Sequence, residues 1–271
     1  MSHNKASGRS FKSWIIQDAC DVFWKNRFVV AVAIIWLVLF DVFDVIVPHP
    51  DLLGSDGVLS FAGACWFVLR ALIDAFALIL VGISAHLSCL VGRDGWGTIR
   101  AANRKAVLHC AAGMLGVAVL IIAAILAYQQ FLVPDILRAL LGGRNEASHP
   151  GRLLIGGLIL IGLLGAIALG ASWFAAVLSG AGSSVRATWW RGRVTFLFVI
   201  WRLVAVLLLL PVISALIVPV IGQMVAVFHV IGIPADAAVL VIPAIVGGMI
   251  ACFVTVLLSV IFVRSFVISL K

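Results

Sequence analysis

Charge is scarce in this chain: Asp, Glu, Lys and Arg together make up 11% of its 271 residues, against 64% hydrophobic residues and a mean hydropathy of +1.23. No layered soluble core can hide that much apolar surface, so an ordinary globular domain is excluded. Cysteine is sparse and unpatterned. Cys20, Cys65, Cys89, Cys110 and Cys252 are dispersed without a CxxC pair and fall in helical segments, where they read as small hydrophobes. No Asn-x-Ser/Thr acceptor occurs, which fits a bacterial inner membrane. A Gly-rich phosphate loop, a nucleophile elbow and an HExxH pair are all missing, so no enzyme class finds its catalytic set here and no cofactor is expected.

What is present is a series of six long apolar runs, at Phe28 to Val47, Cys65 to Val91, Ala106 to Ala127, Leu153 to Leu178, Val194 to Ile221 and Val239 to Val263. A helix needs about 20 apolar residues to cross a hydrocarbon core of about 30 Å. Leucine-rich continuity with interspersed Gly, lacking the two-residue alternation of a membrane barrel, marks these runs as helices. The expected fold is all-α: a polytopic integral membrane protein with six transmembrane helices, residues 1–271 forming one membrane domain. The polar leader reaches Arg27 and the first run is too long for a cleavable signal peptide, so that run is expected to remain as a span.

Basic residues set the orientation. Lys5, Arg9, Lys12, Lys25 and Arg27 lie in the leader; Arg93, Arg100, Arg104 and Lys105 in the second connection; Arg186, Arg191 and Arg193 in the fourth; and Arg264 and Lys271 in the tail. The opposite connections carry only Arg138, Arg144 and Arg152, with the acids Asp51, Asp56, Asp135, Glu146 and Asp236. The positive-inside rule therefore puts both termini in the cytoplasm. The net charge of +8 follows from this asymmetry and implies attraction to anionic headgroups on the cytoplasmic face. No basic cluster interleaved with exposed aromatics suggests a nucleic-acid groove.

An internal repeat organises the runs. A Trp-basic-x-Arg step precedes the first and fifth spans, as Trp24-Lys25-Asn26-Arg27 and Trp190-Arg191-Gly192-Arg193, and Asn103-Arg104-Lys105 stands at the same place before the third. Three repeats, 10–91, 92–181 and 182–271, are expected, each a hairpin of two spans introduced by a short cytoplasmic interfacial helix. The candidate interfacial segments are Ser10 to Asn26, Asp94 to Ala102 and Ser183 to Trp190. In the first, Phe11, Ile15, Ala19, Val22 and Phe23 fall on one arc that Lys12 interrupts. Trp14, Trp24, Trp96, Trp189 and Trp190 are the expected anchors, because an indole buries its ring while keeping its N–H wet.

Three hairpins, each introduced by a basic, Trp-bearing amphipathic segment, resemble the polytopic bacterial family related to the membrane domain of glycerophosphodiester phosphodiesterases. The likeness spans the whole chain through this pattern and carries no signature motif. It implies the six-span, three-hairpin fold. Nothing here matches the soluble phosphodiesterase domain that some of those proteins carry, so no catalytic residue is transferred.

Small residues indicate where helices approach, since lipid offers no hydrophobic reward for association. The fourth span has two ridges, Gly162-Ala166-Gly170 and Ala168-Ser172-Ala176-Gly180, and the sixth has Ala244-Gly248-Cys252. The fourth helix is accordingly expected to be central. Pro211 and Pro219 are expected to kink or end the fifth span, whereas Pro243 lies near the start of the sixth and is tolerated.

The sharpest local feature is Arg70 and Asp74, one helical turn apart in an apolar run. Charges inside a membrane are functional candidates by default. Here Asp74 lies about 25 Å from the cytoplasmic end at Val91, and Asp41 and Asp44 sit near the outer end of the first span as further partners. A shallow, structural ion pair is the expectation. Arg202 is expected to snorkel inward, and His86 and His109 to be satisfied interfacial histidines. His49, His149 and His229 fall one in each outer connection, but their irregular spacing predicts no metal site. Few polar residues occur in the later spans, so the expected function is a non-catalytic scaffold or accessory subunit that binds lipids or other membrane proteins. The alternative is a small permease using Arg70, Asp74, Asp41 and Asp44.

Overall fold

The computed structural model describes residues 11, 14–47, 60–92, 97, 99, 102–131, 150–181, 184–230 and 235–270, with backbone alone at 128–131, 150–156, 228–230 and 235–236. Among the described residues there are seven α-helices and no strands: α1 (Ile15–Lys25), α2 (Arg27–Ile46), α3 (Phe61–Val91), α4 (Arg104–Phe131), α5 (Pro150–Ser179), α6 (Val185–Val230) and α7 (Ala235–Ile268). Helices α2 to α7 are each long and apolar enough to cross a membrane, and the chain reads as a multi-pass membrane protein.

Local chemistry sets several helix ends. Ser60 caps α3 by accepting from the Gly63 amide at 2.9 Å, and Gly92 ends it at φ +77°, a left-handed conformation that costs glycine nothing. Gly180 closes α5 in the same way at φ +71°, with Ala181 N donating to Ala176 O and Gly180 N to Val177 O, the paired bonds of a Schellman turn.

Neighbouring helices run antiparallel, as particular contacts at their ends demonstrate. Asn26, just ahead of α2, lies against Ser84 and Ser88 near the end of α3, while Asp44 near the end of α2 meets Trp66 near the start of α3. Gly113 early in α4 faces the Trp173 ring late in α5. Thr195 early in α6 bonds Ser265 late in α7.

The expectation of a central fourth span is corrected. The central helix is the last one: α7 packs against α1, α2, α3, α5 and α6. Its Ala244, Gly248 and Cys252 ridge is buried, with α2 coming close enough that a Cβ on Gly248 would touch Ile34 and Leu37. Deeper along α7, Val256, Val260 and Val263 are fully covered. On α5 only the ridge through Ala168, Ser172 and Ala176 is buried, while Gly162 and Ala166 are exposed. Small residues permit close approach but do not dictate how many neighbours exploit it.

A further expectation about the fifth span is corrected, and of the two effects expected of Pro211 and Pro219, a kink or an end, the helix does not end. Ser183 to Trp190 does not form a separate helix; from Val185 it is the opening of α6, which continues for 46 residues through both Pro211 and Pro219 without ending. Proline removes one amide donor, a loss that surrounding turns absorb in membrane helices. Beyond Val206, no side chain from 207 to 227 is buried. The segment Asp94 to Ala102, including Trp96, lies largely outside the described residues, as do His49 and His149; His229 is described by backbone alone.

Helix α1 departs from a simple interfacial helix in the surface its apolar face meets. Ala19 and Val22 are buried, and Phe11, Ile15 and Phe23 pack on the same core, chiefly against α7. Trp14 and Trp24 point the other way, 67% and 68% exposed.

Candidate functional site

Two polar clusters cross-link the helices, one towards each end. In the cluster at the far end of α2, Arg70 Nε donates to Asp74 Oδ2 at 3.1 Å and Arg70 Nη2 pairs with Asp41 Oδ1. Asp44 takes a different partner: its Oδ1 accepts from Trp66 Nε1 at 2.7 Å. Trp36 Nε1 donates to Ile73 O at 3.3 Å, and its ring packs on Phe40 and Phe76. Asp41 and Asp74 thus both meet the Arg70 guanidinium; the Arg70–Asp41 and Trp66–Asp44 bonds join α2 to α3, while the Arg70–Asp74 pair lies within α3. Each bond satisfies a group that would otherwise be costly away from water. Arg70 Nη1 and Asp74 Oδ1 are buried in this cluster without a hydrogen-bond partner.

Fifteen residues separate Asn26 from Asp41, about 22 Å of helix, and at the Asn26 end sits the second cluster. Asn26 is 1% exposed at the junction of α1 and α2. Its Nδ2 donates to Val22 O at 2.7 Å, while its Oδ1 accepts from Ser84 Oγ and, at 3.1 Å, from Ser88 Oγ. One side chain therefore fastens α1, α2 and α3 together. Nearby in sequence, Asp18 on the buried face of α1 pairs with Arg264 of α7, whose guanidinium also lies 5.1 Å from the Phe11 ring centroid. Ser265 Oγ donates to Thr195 Oγ1 at 2.8 Å, and Thr195 in turn donates to Arg191 O. Ser259 Oγ donates to Thr255 O at 2.8 Å and also reaches Gly82 O.

The histidines separate. His86 is fully enclosed: Nδ1 donates to Gly82 O at 2.8 Å and the ring sits edge-on to Phe174 and tilted to Phe262, while Nε2 is buried without a hydrogen-bond partner, so the expectation of a satisfied histidine is corrected. His109 is exposed and bonds Lys105 O. Arg202 turns back one turn, its Nη1 donating to Phe198 O at 2.8 Å with the guanidinium 3.6 Å from the Phe198 ring centroid.

Asn26 stands out in the sequence only as part of a repeated step, and Asp18 belongs to no motif there. Signals for both were present: a carboxylate inside the apolar arc of α1, and Ser84 and Ser88 on one helical face. Trp189 and Trp190 are 52% and 58% exposed at the start of α6, like Trp14 and Trp24 beside α1. Among the described residues no group of three or more His, Cys, Asp or Glu side chains is placed to hold a metal. No family model, curated protein or solved structure matches the chain.

Proposed function

We propose that the protein is a non-catalytic scaffold or accessory subunit of a bacterial inner membrane, built as three two-span hairpins with both termini in the cytoplasm. The observation that carries this reading is that Arg70–Asp41 and Trp66–Asp44 tie α2 to α3, with Asp74 pairing to Arg70 from one turn further along α3. A permeation route needs polar groups facing a path. Charges engaged in cross-links hold two helices together instead. The extensive apolar flanks, such as residues 207–227 of α6, are then surfaces for lipid or for another membrane chain. The antiparallel neighbours α2 and α3, α4 and α5, and α6 and α7 support the hairpin plan, the same plan on which the resemblance to the phosphodiesterase-related membrane family rests. Exposed Trp14, Trp24, Trp189 and Trp190 support cytoplasmic boundary segments lying at the headgroups.

Extraction in a mild detergent followed by identification of bound chains and lipids tests the reading. A partner chain or lipid held in fixed ratio is the expected result; a chain that emerges alone and lipid-free rejects it. The permease alternative draws on the unpartnered Arg70 Nη1 and Asp74 Oδ1. If replacing Arg70 and Asp74 with Met and Leu leaves the protein folded but abolishes a solute or proton flux in proteoliposomes, the permease takes precedence.

A further inference from the structure

The two Trp-basic-x-Arg steps share more than sequence. At the first, the Arg27 guanidinium lies 5.8 Å from the Trp24 ring centroid; at the second, Arg193 lies 5.5 Å from the Trp190 ring centroid. In both, the third residue of the step faces inward, Asn26 into its hydrogen-bonded junction and Gly192 against the Leu169 backbone. With that position turned inward, the Trp and Arg three residues apart share the outward face. The residue following each Arg is apolar and exposed, Phe28 at 61% and Val194 at 69%.

Each step therefore presents, in order along the chain, an exposed indole, an exposed guanidinium within cation–π range of it, and an exposed apolar side chain. We propose that these are two equivalent seats for an anionic diacyl phospholipid, the Arg27 and Arg193 guanidinia holding the phosphate and Phe28 and Val194 meeting the first acyl segment. The proposal deepens the lipid-binding reading above and rests on it. A guanidinium presents a planar fork of donors matched to phosphate oxygens, and attraction to the indole face keeps the charged group at the seat. The adjoining apolar side chain favours a lipid over free phosphate. The second repeat supplies an internal contrast: Arg104 and Lys105 are exposed, but Asn103 precedes them and no indole stands at the matching place.

The full chain, incorporated into nanodiscs of phosphatidylcholine and phosphatidylglycerol in equal parts and then released into mild detergent, is examined for retained lipid by native mass spectrometry. Phosphatidylglycerol should be enriched several-fold in the retained lipid. Enrichment should fall at least threefold in both R27Q/R193Q and W24L/W190L, and should persist in R104Q/K105Q, which removes the same charge from the step that lacks an indole. Equal loss in R104Q/K105Q would reduce the effect to diffuse surface charge and overturn the proposal, as would displacement by millimolar inorganic phosphate. Absence of enrichment in a preparation that still carries a partner chain would overturn the seats while leaving the accessory-subunit reading intact. Matching thermal melts among the variants separate lost binding from lost fold.

Discussion

At the scale of single residues, burial separates two ion pairs that join different helices. Asp18 and Arg264 have side-chain exposures of 9% and 11%, against 40% and 18% for Asp41 and Arg70. Removing one partner of a well-buried pair leaves an uncompensated charge and costs about 3–5 kcal/mol, whereas an apolar pair of similar volume restores most of it. D18L alone should therefore lower the unfolding temperature in detergent markedly, and D18L/R264M should recover most of the loss. The same comparison at Asp41 should give a smaller change, about 1 kcal/mol, because the pair is more exposed and its charges are better screened. A D18L variant as stable as the parent would mean that the pair contributes nothing to joining α1 to α7. Arg264 was legible only as a basic residue near the end of the last apolar run. Its partner was not, because that partner lies 246 positions away and only folding brings the two together.

At the scale of elements, contact between helices α5 and α6 depends on a single missing side chain. A Cβ on Gly192 would fall onto the Leu169 backbone, which has no flexible end to move aside. G192A should push the two helices apart and cost about 1–3 kcal/mol as an overpacked contact. Gly222, further along α6, has nothing within 4 Å of the same construction. G222A should be neutral or slightly stabilising, since Ala is the better helix former. Parallel thermal melts of the two variants check this, and equal effects would refute the packing argument. The sequence displayed both glycines, but their different surroundings depend on which face of α6 meets α5. The amphipathic arc of α1 was legible for the same reason that its target was not. Periodicity reveals that a face is apolar and is silent on whether lipid or protein covers it.

At the scale of the whole molecule, the excess of basic residues at the Arg27, Arg104 and Arg193 ends predicts one sidedness. In intact cells, cysteines introduced near Gly54, Glu146 and Asp236 should react with an impermeant reagent, and those near Ser7, Thr98 and Ser184 should stay protected. Labelling of the second group would reject cytoplasmic termini. The number of long apolar helices was legible from composition and run length alone, because the cost of exposing backbone in hydrocarbon forces each apolar run of about 20 residues into a helix whatever its neighbours are. Which helix lies at the centre was decided only by tertiary packing. The ridges of α5 and α7 are alike in residue size, yet α7 is the one enclosed by α1, α2, α3, α5 and α6. In a solvent as apolar as the side chains themselves, helix association is governed by shape and by a few polar ties. Asn26 to Ser84, Asp18 to Arg264 and Thr195 to Ser265 are such ties, and each joins residues far apart in the sequence.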